Sequence, residues 1–182
     1  MRLHPDVLSA STPAVAPPAM AAANDHADYR HALASFGTGV TVVTTRWQDI
    51  DWGMTCNSFS SVSLEPRLVL WSIRREASSY EAFTRSGGFT VNVLSHAQQP
   101  LARQFATGSL EQRFAGVPQE RLPSQRVCLP GAAAWFECEL HQLVDAGDHT
   151  IVIGRVTDYA SQETPALSFW RSKFGRFGTE GN

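Results

Sequence analysis

From Ala133 the sequence reads as a long strand to about Val144, turns at Ala146-Gly147-Asp148 and returns through Ile151 to Tyr159. Two long strand-like segments joined by so short a turn imply antiparallel pairing. Three more apolar or β-branched segments lie upstream, at residues 40–45, 67–73 and 89–94. Helical signals are fewer. Asp28 is placed to cap a helix in which Tyr29, Ala32, Leu33 and Phe36 form one apolar stripe, ended by Gly37 and Gly39. Ser78 with Glu81 reads as a capping box that opens a helix to about Arg85. Pro100 suits the first turn of another helix carrying Leu101 and Phe105. Strands outweigh helices and do not alternate regularly with them. The expectation is therefore a mainly β fold, a closed antiparallel barrel with peripheral helices, in preference to a doubly wound sheet.

The 182 residues fit one domain large enough to bury a core without metal or disulfide staples. Residues 1–24 are dominated by Ala, Pro and Ser, and Pro13, Pro17 and Pro18 interrupt any helix or signal-peptide core. They read as a flexible tail ahead of a domain spanning residues 25–182. A formal net charge of -2 gives no reason to expect nucleic acid or an anionic membrane as partner. No stretch approaches the ~18–20 apolar residues of a membrane span. Cys56, Cys128 and Cys138 form no C-x-x-C pair, which fits a reducing, cytoplasmic setting. The histidines and cysteines lack zinc-ligand spacing, so no metal is expected. No Gly-x-Gly-x-x-Gly follows a strand, no Walker loop is present and no Gly-x-Ser-x-Gly elbow occurs.

Residues 55–66, Thr-Cys-Asn-Ser-Phe-Ser-Ser-Val-Ser-Leu-Glu-Pro, place small polar side chains between two apolar strands. Such a run exposes many backbone donors and acceptors at one spot, which suits the rim of a planar, heteroatom-rich ligand. The plainer reading is a Ser-rich loop.

The same run resembles the signature of the short-chain flavin reductases, the reductase components of two-component flavin monooxygenases. Residues 29–45 resemble that family's opening helix and first strand, and residues 89–94 its next strand. Gly147-Asp148-His149 matches its late Gly-Asp-His motif, and residues 165–175 resemble its closing block more loosely. Ser172 and Phe174 depart from the Gly and Tyr that are common there. The five blocks occur in the family's order over residues 28–175. The resemblance implies an FMN-binding split β-barrel of Greek-key type, FMN or FAD as flavin, and NADH or NADPH as the hydride source. It also implies a homodimer and a separate monooxygenase that receives the reduced flavin.

For such a reaction the cofactors carry the electronic work. The protein must hold two rings face to face, with reacting atoms about 3–3.5 Å apart. It must also offer donors to the flavin's pyrimidine edge. Thr55, Cys56, Asn57, Ser58, Phe59, Ser60, Ser61 and Val62 are the candidates for that edge, with backbone N–H groups near Ser61 and Val62 facing the ring. Phe59 and Val62 equally fit a packing role. Arg74, Ser78 and Ser79 are candidates for the flavin phosphate, through charge and the free N–H groups of a helix start. Asn92 is a further candidate, with a solvent-facing strand residue as the alternative. His149 is the catalytic candidate, positioned beside the nicotinamide. Thr38 and Gly39 are expected to line the same cleft, and Lys173 and Phe174 to close it. Two competing readings remain: a split-barrel flavin-dependent oxidase, and a flavin-binding carrier or sensor without turnover.

Overall fold

The computed structural model describes residues 26–177. The tail expected for residues 1–24 lies outside them. Helices are α1 (His26–Leu33), α2 (Tyr80–Arg85), α3 (Gln99–Thr107) and α4 (Leu110–Phe114). Strands are β1 (Thr38–Gly39), β2 (Thr41–Trp47), β3 (Ile50–Cys56), β4 (Ser60–Leu64), β5 (Arg67–Arg74) and β6 (Gly88–Val93). They continue with β7 (Glu120–Arg121), β8 (Val127–Cys128), β9 (Ala134–Ala146), β10 (His149–Ser161), β11 (Leu167–Trp170) and β12 (Lys173–Arg176).

The fold is mainly β with helices at its periphery, as the sequence leads one to expect. A seven-stranded antiparallel sheet has the order β3-β2-β6-β9-β10-β5-β4. The long β9–β10 hairpin lies between β5 and β6, which are consecutive in the chain but apart in the sheet. The expected closure is not observed. The sheet is open, because its two edge strands β3 and β4 are not hydrogen-bonded to each other. Residues 57–59 join them covalently and leave the ladder unclosed at that point. A smaller sheet, β1-β11-β12, stands beside the main one.

Two cores flank β2. Val43 is buried with Trp71, Phe83, Phe89 and Val152, while its neighbour Val42 is buried with Leu94, Phe105, Leu129 and Leu167. Adjacent strand residues point to opposite faces, so a strand with cores on both sides reads as a continuous run of Val and Thr. In the first core the Trp71 ring meets Phe83 edge-on at 4.9 Å and Phe89 at 5.7 Å. The threonines are satisfied: Thr41, Thr44 and Thr45 donate to the carbonyls of Cys56, Val127 and Gly88. That satisfaction removes the cost of burying their hydroxyls.

Three local expectations change. α1 begins at His26, so Asp28 lies in its first turn and is not its cap. Tyr29 and Leu33 lie on α1 but Phe36 lies beyond its end, and the three are 66%, 56% and 78% exposed. The Ser78–Glu81 capping box does not form: α2 starts at Tyr80 after Ser79, which makes no side-chain cap. Glu81 instead pairs with Arg85 at 3.5 Å. Capping boxes occur at Ser95 with Gln98 and at Ser109 with Gln112, both readable as Ser-x-x-Gln.

Gly154 marks a close approach. A Cβ there would lie 2.4 Å from Phe89 Cζ and 2.9 Å from Cys138 Cβ, both fully buried groups. Gly154→Ala is expected to cost about 1–3 kcal/mol by overpacking. In urea unfolding the midpoint should fall while the slope stays constant; an unchanged midpoint would show that the core yields there.

Candidate active site

The polar run leaves the sheet where β3 ends. Thr55 Oγ1 donates to Ala102 O of α3 at 2.7 Å, and Ser58 Oγ accepts from Ser72 N of β5 at 2.9 Å. Cys56 Sγ and Ser58 Oγ lie 3.1 Å apart. The connection is thus pinned to a helix on one side and a strand on the other. The Asn57 side chain is exposed between the pins and makes no hydrogen bond to described residues.

The register of β5 against β10 sets Arg74 opposite His149. Ahead of His149 a two-residue turn joins β9 to β10, with positive φ at Gly147 (63°) and not at Asp148, the type II′ pattern that glycine accommodates. His149 Nδ1 lies 2.7 Å from Asp148 Oδ1. That hydrogen bond, helped by the nearby Arg74 charge, holds the Asp148 carboxyl below the usual carboxylate range. With Nδ1 engaged, Nε2 is the ring nitrogen left to meet a ligand.

A cavity of about 250 Å³ gathers Thr55, Cys56, Asn57, Ser58, Arg74 and His149, six of the sequence candidates, with Met54, Ser72 and Ala77. A second, of about 490 Å³, shares Thr55, Cys56 and Asn57 and extends over Val40, Ala102, Arg103, Phe169 and Phe174. The Arg103 guanidinium sits 5.3 Å from the centre of the Phe174 ring. Phe174 therefore reaches the site, whereas Lys173 is exposed and lines neither cavity. Thr38 lines a third concavity that also touches Asn57, and Gly39 pairs with Ser168 behind it.

Other candidates lie elsewhere. Asn92 is fully buried; its Nδ2 donates to Val42 O at 3.1 Å and its Oδ1 accepts from Leu129 N at 2.8 Å, so its amide braces β2 against the segment that covers it. Ser79 is buried and donates to Met54 Sδ, and the exposed Ser78 lines neither cavity. A six-residue helix behind an uncapped start is a weaker anion site than the sequence leads one to expect. Phe59 stacks on Phe136 at 5.7 Å and packs on the first core. Ser60, Ser61 and Val62 belong to edge strand β4, where the pairing skips Val62, and Ser61 faces a separate apolar cavity with Phe136 and Tyr159. Arg103 and the Ala102 and Ala106 faces of α3 escaped the sequence reading. Their spacing shows a helix, and only the fold shows which side meets Thr55.

The chain's residues 33–178 match the Flavin reductase like domain. The FMN reductase (NADH) SmoA of Agrobacterium fabrum is 40% identical over 152 residues, covering 84% of this chain and 86% of that protein. The reductase component of the flavin-dependent trigonelline monooxygenase of Acinetobacter baylyi is 40% identical over 156 residues, covering 85% of this chain but half (50%) of the relative's own length. Among solved structures, the Streptomyces globisporus NADH:FAD oxidoreductase SgcE6, in complex with NAD and FAD fragments, superposes with a TM-score of 0.82 at 36% identity, covering 87% of this chain and 96% of that one. This chain belongs to the flavin reductase-like family.

Two of the three cysteines are buried thiols held in the protonated form. Burial pushes the Cys128 thiol up to about 11 and the Cys138 thiol up to about 12. Both are expected to resist a thiol reagent at pH 8 until the protein is unfolded, as counted by absorbance of the released chromophore. For the Asp148–His149 pair the lowered carboxyl pKa sets the sign. Its stabilisation is present above the ordinary carboxylate pKa and is lost as pH falls through the lower folded value. In an NMR titration the Asp148 carboxyl should titrate below the normal range and move up in His149→Ala.

Proposed function

We propose that this chain is an NAD(P)H:flavin oxidoreductase that moves a hydride from a reduced nicotinamide to FMN or FAD. The observation that carries the reading is the cavity in which Arg74 and His149 face the polar run from Thr55 to Ser58. The donor set fits a flavin: an uncommitted amide at Asn57, an apolar wall from Val40, Ala102 and Phe174, and a guanidinium at Arg74. A bound flavin supplies the ring that accepts the hydride. Asn57 orients a planar heterocycle through its amide, while Arg74 offers charge to a phosphate. His149, held by Asp148, presents Nε2 to a carboxamide and helps to exclude water. The plain apolar wall lowers the local dielectric and strengthens each of these contacts.

The reduced flavin is passed to a separate monooxygenase component, a role supported by the trigonelline monooxygenase relative. A homodimer is supported by the uncovered apolar stripe of α1 and the unpaired edge β4, where Leu64 is 88% exposed. Three free, buried cysteines support a reducing, cytoplasmic setting. No helix among the described residues is long and apolar enough to cross a membrane.

The test is loss of nicotinamide absorbance at 340 nm with FMN, FAD or riboflavin supplied in turn. Flavin-dependent oxidation is expected, with kcat/KM about tenfold lower or more in His149→Ala. Asn57→Ala should raise the flavin KM. A folded protein that binds flavin and oxidises neither nicotinamide would sink the proposal.

A further inference from the structure

The turn that presents His149 stands in solvent. Residues 145–148 are all exposed, and His149 pairs with Arg74 at the very end of the β5–β10 ladder. A hairpin tip with so little buried surface lies at the low-stability end of a structure unless other contacts tie it down.

The ties come from one short segment, residues 75–80, which follows β5. Arg75 N–H donates to Asp148 O at 3.1 Å and so carries the ladder one hydrogen bond beyond the strand. The Arg75 guanidinium pairs with Asp145 Oδ1 at 3.1 Å. Tyr80 Oη and Thr150 Oγ1 lie 2.9 Å apart, and Thr150 is 1% exposed. Asp145 and Thr150 are cross-strand partners in the β9–β10 hairpin, so both side chains of the segment grip the same rung. Adjacent strand residues point to opposite faces, which puts that rung behind His149. The segment itself is stiff. Ala77 N–H donates to Arg74 O at 3.1 Å and Tyr80 N–H to Ala77 O at 2.9 Å, two turns in succession, and Tyr80 packs on the first core.

Arg74 and Ala77 line the same 250 Å³ cavity as His149, while neither Arg75 nor Tyr80 does. One stretch of chain thus supplies part of the cavity wall and, from outside it, holds the histidine in place. Hydride transfer tolerates little error in the spacing of its two rings, and a misplacement of about 1 Å costs up to about a hundredfold in rate. We infer that Arg75 and Tyr80 are positioning residues for the reaction. From behind the hairpin they set the depth at which His149 stands in the cavity, and through it the seat of the reduced nicotinamide. The inference rests on the reductase reading for the role of His149 and on the three ties for the rest.

The experiment is steady-state kinetics on Arg75→Ala, Arg75→Lys, Tyr80→Phe and the double variant Tyr80→Phe with Thr150→Val. Backbone NMR order parameters at residues 146–149 are measured on each without substrate. In Arg75→Ala and in Tyr80→Phe, kcat/KM for the reduced nicotinamide is expected to fall about fivefold with the flavin KM unmoved. Arg75→Lys keeps a charge opposite Asp145 and should recover most of the loss. Tyr80→Phe leaves the Thr150 hydroxyl buried without this partner, and replacing that hydroxyl as well should restore thermal stability. The kinetic loss should persist in the double variant, whereas a merely structural role predicts its recovery. Wild-type kinetics in both single variants, recovery of kcat/KM along with stability in the double variant, or a flavin KM that rises in parallel overturns the inference. Absence of turnover in the wild type would count against the reductase reading. The order parameters then decide: lower values at residues 146–149 in the variants uphold the ties, and unchanged values overturn them.

Discussion

Insertion of the β9–β10 hairpin between β5 and β6 is the constraint on which the rest of the structure depends. It sets the register that brings His149 opposite Arg74. It also presents Cys138 and Val152 to the first core beneath Trp71 and Phe89. On its other flank β9 pairs with β6, whose Asn92 ties the sheet to Leu129 and thereby to the second core. Displacing the hairpin by one residue would turn its buried side chains outward and separate His149 from Arg74. Core and candidate chemistry are therefore set by one strand register.

The site itself stands where the sheet fails to close. β3 and β4 are its two edges, and the short polar connection between them carries Asn57 and Ser58. An edge normally invites pairing with another strand. Here the side chains of Thr55 and Ser58 are tied to α3 and β5, and the gap between the edges remains a cavity. Hydroxyl groups that look from the sequence like ligand donors are thus largely occupied in holding the backbone. The Asn57 amide is the polar group left over. This division of labour also explains why the apolar wall comes from α3 and Phe174, which lie far from the polar run in sequence.

Much of the fold was legible because local pattern and global position agree. The hairpin through Gly147-Asp148, the continuous Val-Thr run of β2 and the Pro100 start of α3 all carry signals that depend on near neighbours alone. Closure did not, since it depends on whether two edge strands meet. At the site, Thr55 to Ser58, Arg74 and His149 converge as their motifs suggest. Asn92 and Ser79 do not, because a polar residue on a strand or at a helix start reads the same whether it faces a ligand or a buried carbonyl. Arg103 carries no motif at all, and its place beside Phe174 follows from how α3 docks. The Ser78–Glu81 pattern shows the converse case: it matches a capping box, but α2 begins one residue later.

The hairpin's place in the sheet also bears on how the chain is made. β5 and β6 leave the ribosome with their inner edges unpaired, and the strands that will occupy the space between them are encoded more than forty residues after β6, beyond Ala134. At about 5–20 residues per second the nascent chain carries those edges, with Trp71 and Phe89 uncovered beside them, for several seconds. Over that interval the growing polypeptide presents two sticky strands to its surroundings. The length of that exposure is set by the strand order of this protein, independently of how stable the finished molecule is.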